Sequence, residues 1–301
     1  MIGKALLANV GARALLATVW LLHWLPLPAL APVGRALGVL LHSFGRARRA
    51  VALRNLELCF PQWGTLERER VVREHFGWIG RSLLERALWW HASEARLRRL
   101  IHVEGDITLA ERSDKPVMWL VPHFVGLEVC GTAVQLFQTR PGCDIYTPQS
   151  NPVIDAAFKR GRSRFGRDLF FERGTGALPV VRAIKKQGYA FFNPADMDFG
   201  LRDAAFVPFF GVPAATLLAP SRMAKSLGMV VQPLVCEMLP GGRGWRVKFM
   251  PAWEHWPTDD AVADAAAMNA FIEAEIRKMP AQYLWVHKRF KSRPPDAAPV
   301  Y

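Results

Sequence analysis

The chain has 301 residues, 51% of them hydrophobic, and a formal net charge of +13. That length suits one large domain or one domain with a small appendage. The surplus of Lys and Arg, with an isoelectric point near 10.1, points to an anionic partner, either a nucleic acid or a membrane with acidic headgroups. Eleven tryptophans favour the membrane, because indole rings prefer its interface. The alternative is that arginine only solubilises the surface. Cys59, Cys130, Cys143 and Cys236 form no CxxC pair or zinc spacing, which argues against a disulfide framework or structural metal and for buried apolar filler in a reducing compartment.

The first fifty residues contain no Asp or Glu, and none between Arg13 and Arg35 carries a formal charge. Such a run is about the length that crosses a hydrocarbon core. Pro26, Pro28 and Pro32 interrupt it, which argues against one straight spanning helix. A helix over Ile2 to Leu25, with Trp20 and Trp24 at an interface, fits better, and residues 1–45 read as a membrane anchor, spanning or interfacial. A cleaved signal peptide and a buried core helix are the alternatives. The positive residues do not set orientation by themselves, because Lys4 and Arg13 on one side oppose Arg46, Arg48 and Arg49 on the other; the stronger downstream cluster favours a cytoplasmic catalytic domain.

Residues 46–100 read as helices, RARRAVALRNLELCFPQW and then TLERERVVREHFGWIGRSLLERALWW, with Pro61 and Gly64 breaking the two apart. From about residue 101 to 294 the texture changes. Short apolar runs, PVMWLVP, GYAFFNP and MVVQPLV, alternate with helix-like LEVCGTAVQLF, ALPVVRAIKK and LLAPSRMAKSL. That alternation predicts an α/β unit, a central sheet flanked by helices. No internal repeat and no Rossmann or P-loop glycine pattern is present. FVPFFGVPAAT reads as an apolar loop with a tight turn, QYLWVH as an aromatic strand-like run, and residues 295–301 as an untethered tail.

VPHFVGLEVCG places His123 and Glu128 five residues apart at the end of a buried strand. On one helix five residues rotate side chains about 140° apart, so the two meet only across a strand-to-helix junction. There His123 can act as a general base while Glu128 fixes its tautomer and steadies the imidazolium. Phe124, Val125 and Leu127 would keep the site dry, and Gly126 would give backbone freedom or close substrate approach. With no GxSxG serine, the base would act directly on a substrate hydroxyl. Alone, such a pair equally describes a satisfied structural histidine.

Further stretches add to it: the basic cluster Lys159, Arg160, Arg162 and Arg164, then Arg173, then Asp196 and Asp198, then Lys288, Arg289, Lys291 and Arg293 near the C-terminus. HFVGLE, YTPQSNPVID, RGRSRFG, DMDFG, FVPFFGVPAAT and YLWVHKRFKSRP, in this order, resemble the bacterial lipid A biosynthesis acyltransferases of the late, lauroyl/myristoyl type, and NLELCFP resembles their upstream segment. The resemblance runs from about Ala50 to Pro294. It implies a glycerolipid-acyltransferase-like fold, a mixed central sheet flanked by helices, preceded by an N-terminal membrane-anchoring helix and a helical segment. It further implies an inner-membrane enzyme that moves a fatty acyl chain from acyl carrier protein to a hydroxyl of a lipid A precursor, its catalytic domain on the cytoplasmic face, which the need to reach acyl carrier protein also favours.

On that resemblance His123 is the general base and Glu128 orients it, in place of the superfamily's usual His-x4-Asp. Arg164, Arg173, Asp196 and Asp198 are the expected substrate-binding residues. Arg164 or backbone N–H groups after His123 would hold the oxyanion, and Arg173 would meet a phosphate or pair with Asp196 or Asp198. The family often has Asp-Gln-Asp where Met197 stands between Asp196 and Asp198 here. No cofactor is needed, and two carboxylates without a further acidic cluster make a poor metal site. Acidic acyl carrier protein and the anionic inner membrane are the expected partners, and no nucleic acid is, since no reading motif accompanies the charge. The alternatives are an acyltransferase for another acceptor, such as an ornithine lipid or lysophospholipid, and a non-catalytic membrane-binding protein.

Overall fold

The computed structural model describes residues 2–301, with side chains from Ala8 onward; Met1 and the Lys4 side chain, with its charge, lie outside the described residues. Two helices open the chain, α1 (Ile2–Leu22) and α2 (Leu27–Phe44). Pro28 falls in the first turn of α2, where a missing N–H costs nothing. Pro32 lies inside the helix, so the prolines divide the apolar run once, before Leu27, and not again.

Three further helices follow: α3 (Arg46–Cys59), α4 (Thr65–His91) and α5 (Glu94–Leu100). The break at residues 60–64 falls where Pro61 and Gly64 predict it. α2 lies directly on α4 through glycines. A Cβ on Gly38 would stand 2.3 Å from the Phe76 carbonyl oxygen, and one on Gly80 2.2 Å from that of Gly34. Only glycine permits such an approach. α2 is therefore fixed to the helical body along one face, while Val33, Val39, Leu40 and Phe44 stay exposed on it.

The remainder alternates as expected. β1 (Ile101–Gly105), the short α6 (Leu109–Arg112), β2 (Val117–Leu120), α7 (Leu127–Phe137), β3 (Gly142–Tyr146), α8 (Pro152–Arg162), β4 (Leu169–Glu172), α9 (Leu178–Gln187) and β5 (Ala190–Asn193) come first. The hairpin β6 (Ala204–Phe209) and β7 (Val212–Leu217), α10 (Ala219–Leu227), β8 (Val230–Met238), β9 (Trp245–Phe249) and α11 (Ala261–Lys278) complete it. Seven strands form one sheet in the order β1-β9-β8-β2-β5-β3-β4. All neighbours are parallel except β8 and β9, so the sheet is mixed. β2, at its centre, is buried at every residue, which explains why it reads as a continuous apolar run without alternation. α8 starts on Asn151, whose side chain accepts from the N–H groups of Val153 and Ile154, with Pro152 next.

Three expectations change. The FVPFFGVPAAT loop is the β6–β7 hairpin, separate from the main sheet; its turn residues Phe210 and Gly211 both have positive φ, 51° and 77°, the signature of a type I′ turn. QYLWVH is no strand: after a 3-10 turn at Pro280–Gln282, a single bridge joins Tyr283 to Phe124. The C-terminal tail is tethered. The Tyr301 hydroxyl reaches the Asn55 side-chain oxygen and accepts from the Phe290 N–H at 3.2 Å, and Lys288 lies over its ring.

Candidate active site

His123 lies three residues beyond the end of β2, before α7 begins. Sheet register decides its partner. β2 and β5 are parallel neighbours with Leu120 opposite Asn193, and the Asn193 carbonyl accepts from the Val121 N–H at 3.1 Å. Three residues past each of those aligned positions come His123 and Asp196. His123 Nδ1 is 2.6 Å from Asp196 Oδ1, and the His123 backbone N–H donates to Oδ2 at 3.0 Å. Facing a carboxylate, Nδ1 carries the proton. Among the described residues nothing hydrogen-bonds Nε2, and the side chain is 21% exposed, so the second ring nitrogen can meet a substrate.

Asp196 is buried. Burial opposes its charge, but the His123 ring, the His123 N–H and the Tyr283 hydroxyl together hold its carboxyl below the usual range.

Glu128 is engaged elsewhere. Arg162 Nε donates to its Oε2 at 3.0 Å and Arg162 Nη2 to its Oε1, while Arg86 Nη2 stands 3.9 Å from Oε1. Burial works against the carboxylate, yet the two guanidiniums pull it down to about 2. No hydrogen bond joins Glu128 to His123 among the described residues. The expected link of Glu128 to the imidazole is therefore at most one of charge: α7 turns the carboxylate toward α8 and α4, and the carboxylate on Nδ1 comes from beyond β5.

The other expected residues separate. Arg164 donates to the carbonyls of Ala92 at 2.6 Å and Trp89 at 3.4 Å and lies over Phe165. It caps the C-terminal end of α4, and those contacts take its guanidinium away from an oxyanion. Asp198 is a loop fastener: Oδ1 accepts from the Gly200 N–H and the Ser292 hydroxyl, both at 2.9 Å, and Oδ2 from the Ser292 N–H at 2.6 Å. Its own N–H donates to His287 Nε2 at 3.3 Å. Burial and then the nearby His123 charge push His287 down to about 4, which keeps it the neutral acceptor this bond requires. Arg173 is exposed over the Phe199 ring, 4.3 Å from its centre, and pairs with neither Asp196 nor Asp198. Gly126 serves packing: a Cβ there would meet Cys236 Sγ on β8 at 2.7 Å.

Residues not singled out from sequence complete the frame. The C-terminal segment runs along the His123 loop: the Leu284 N–H donates to the His123 carbonyl at 3.0 Å and the Val125 N–H to the Gln282 carbonyl at 2.8 Å. Buried Asn55 on α3 holds that segment from behind, donating to the Trp285 and His287 carbonyls, both at 2.7 Å. The only sequence signal for it is its place in NLELCFP.

Residues 6–292 match the family described as bacterial lipid A biosynthesis acyltransferase. The chain belongs to that family. It is 34% identical to the lipid A biosynthesis palmitoleoyltransferase of Escherichia coli K12, over 95% of this chain and 92% of that one. It is 33% identical to the lauroyltransferase of the same organism, over 92% and 90%, and 30% identical to the myristoyltransferase, over 91% and 83%. Among solved structures, a 1-acyl-sn-glycerophosphate acyltransferase from Thermotoga maritima is similar at 12% identity with a TM-score of 0.36, covering 77% of this chain and 94% of that one. The protein is an acyltransferase of lipid A biosynthesis.

Proposed function

We propose that this lipid A acyltransferase moves a fatty acyl chain from acyl carrier protein to a hydroxyl of its acceptor, with His123 Nε2 as general base and Asp196 holding the opposite nitrogen. The observation that carries this reading is the double contact of Asp196 with the His123 ring and backbone, which leaves Nε2 free at the C-terminal end of a central strand. Nε2 takes the acceptor hydroxyl proton as the oxygen attacks the thioester carbonyl. The Asp196 carboxylate stabilises the imidazolium. Collapse of the tetrahedral intermediate breaks the carbon–sulfur bond, and the imidazolium returns its proton to the departing thiolate. A base so placed contributes about 10² to 10⁴ in rate.

Glu128, with Arg162 and Arg86, is a half-buried charge cluster that fixes α7 against α8 and α4, so it acts on the site through the backbone that carries His123. In this reading Arg173, exposed over the Phe199 ring, is the guanidinium that meets an acceptor phosphate.

The donor assignment rests on charge: a surplus of +13 suits steering of an acidic carrier. The inner-membrane location rests on the first two helices. The helix Leu27–Phe44 is long and apolar enough to cross a bilayer, Leu15, Trp20, Leu21, Trp24 and Leu25 are exposed before it, and Arg46, Arg48 and Arg49 follow it. One face of α2 is fixed to α4 while the other is apolar and bare. That arrangement favours a helix pair lying in the interface, with the catalytic domain on the cytoplasmic side.

The experiment is mass spectrometry of lipid A from cells lacking the protein and complemented with wild type, His123→Ala, Asp196→Asn or Glu128→Gln. Wild type is expected to restore one acyl chain that His123→Ala and Asp196→Asn do not. Restoration by His123→Ala would remove the proposed base.

A further inference from the structure

The family match ends at residue 292. Residues 293–301 go beyond it, and with Ser292 they form a strap whose two ends hold the two supports of His123. At its start Ser292 is fixed to Asp198, by its N–H at 2.6 Å and its hydroxyl at 2.9 Å, and Asp198 shares its loop with Asp196, the carboxylate on the imidazole. A turn follows, closed by the Ala297 N–H on the Pro294 carbonyl at 3.0 Å. Val300 then packs on the core, and the Tyr301 hydroxyl arrives between Asn55 and Phe290.

The direction of each bond at that hydroxyl follows from its neighbours. Buried Asn55 donates from Nδ2 to the carbonyls of Trp285 and His287, both at 2.7 Å, so its Oδ1 faces Tyr301 and only accepts. The hydroxyl therefore donates to Asn55 Oδ1 and takes the Phe290 N–H at 3.2 Å on its own oxygen. Burial pushes the Tyr301 phenol up to about 12, so it keeps the proton that this arrangement needs. Without the hydroxyl, nothing sets the sense of the amide. A flipped Asn55 would turn its oxygen against the Trp285 and His287 carbonyls, leaving both without a donor.

Those two carbonyls belong to the segment whose Leu284 N–H holds the His123 carbonyl at 3.0 Å. Resting on the reading of His123 as general base, we propose that Tyr301 is a positioning residue for acyl transfer: its hydroxyl orients the Asn55 amide, the amide fixes residues 285–287, and that segment holds the backbone from which Nε2 is aimed. The hydroxyl touches no reacting atom. It acts through the placement of the base, and a misplaced base slows the chemical step more than it weakens substrate binding.

The test is a double-mutant cycle on the full chain in detergent: Tyr301→Phe, Asn55→Ala and the two together. Turnover per folded molecule is measured with acyl carrier protein charged with the chain that lipid A mass spectrometry identifies, and backbone hydrogen exchange is followed by mass spectrometry. Tyr301→Phe keeps the ring under Lys288 and removes the hydroxyl alone. It is expected to lower kcat about fivefold to tenfold, the size of one lost hydrogen bond, with KM within about twofold. Exchange should quicken in residues 282–288 while the β2 amides keep wild-type protection. In the Asn55→Ala background the same change should alter kcat by less than about twofold, because no amide is left to orient. Unchanged turnover in Tyr301→Phe, an equal loss with and without Asn55, or quicker exchange throughout the molecule would each overturn the proposal. Should Asn55→Ala not fold, Tyr301→Phe decides alone: a lower kcat with exchange quickened only around residues 282–288 supports the role, and any other pattern removes it. Failure of the base reading is distinguishable, because it appears as lipid A restored by His123→Ala, whatever Tyr301→Phe does.

Discussion

Asp196 holds His123 at two points, its Oδ1 2.6 Å from Nδ1 and its Oδ2 accepting from the backbone N–H at 3.0 Å. One carboxylate thereby sets the ring's rotamer, its tautomer and the path of the loop that carries it. Asp196→Asn is expected to slow turnover by a factor of about 10² to 10⁴ with the unfolding midpoint little changed, because the amide can still accept from the backbone but cannot stabilise an imidazolium. Steady-state kinetics with an acyl thioester decides it: activity within about twofold of wild type, far short of a general-base loss, would remove Asp196 from the mechanism.

Glu128 lies between two guanidiniums, and its depressed carboxyl, at about 2, gives a signed pH dependence. Its stabilising charge is fully present above the ordinary carboxylate range and is lost as pH falls toward 2. Glu128→Gln leaves the half-buried Arg162 and Arg86 without their counter-charge, a loss on the order of 1–3 kcal/mol near neutrality. The gap in unfolding midpoint between wild type and variant should narrow as pH drops below about 4.5. A gap independent of pH would show that the pair contributes nothing electrostatic.

Arg164 caps α4 through the Ala92 and Trp89 carbonyls. Arg164→Met should therefore cost on the order of 1 kcal/mol of stability and leave turnover per folded molecule nearly unchanged. A hundredfold to thousandfold slower turnover, roughly the effect of losing an oxyanion donor, would return Arg164 to the reacting atoms.

The α2–α4 contact depends on glycine. Gly38→Ala places a methyl 2.3 Å from the Phe76 carbonyl oxygen, and the helices must separate, at about 1–3 kcal/mol. Gly11→Ala on α1 is the control, since a Cβ there meets nothing within 4 Å. Thermal unfolding in detergent should show a lower midpoint for the first and no such drop for the second; equal behaviour would mean that α2 is not held against α4.

Much of this protein is legible in one dimension where a single element decides the outcome. The central strands appear as unbroken apolar runs because both faces are covered, and the helices α7, α9 and α10 appear between their turn residues. The edge strands β1 and β4, and β9 beside β1, are less visible, as short segments mixing apolar with charged residues. The hairpin reads as a loop because Pro208 and Pro213 interrupt a strand pattern; they are tolerated since β6 and β7 pair only with each other, leaving outer edges that need no N–H. The tail reads as loose because one tyrosine hydroxyl, not a hydrophobic run, ties it down.

By itself the sequence determined the ionisable groups available, the order of the elements and the family, since these are properties of residue types and their spacing. Only the tertiary structure decided which carboxylate meets His123. Glu128 is five residues away but is carried off on a helix whose geometry points it at α8 and α4. Asp196 is 73 residues away and is returned to the histidine because two parallel strands, aligned at Leu120 and Asn193, end together. Sheet register, set by the pairing of buried backbone N–H and C=O groups, converts that distance along the chain into a hydrogen bond.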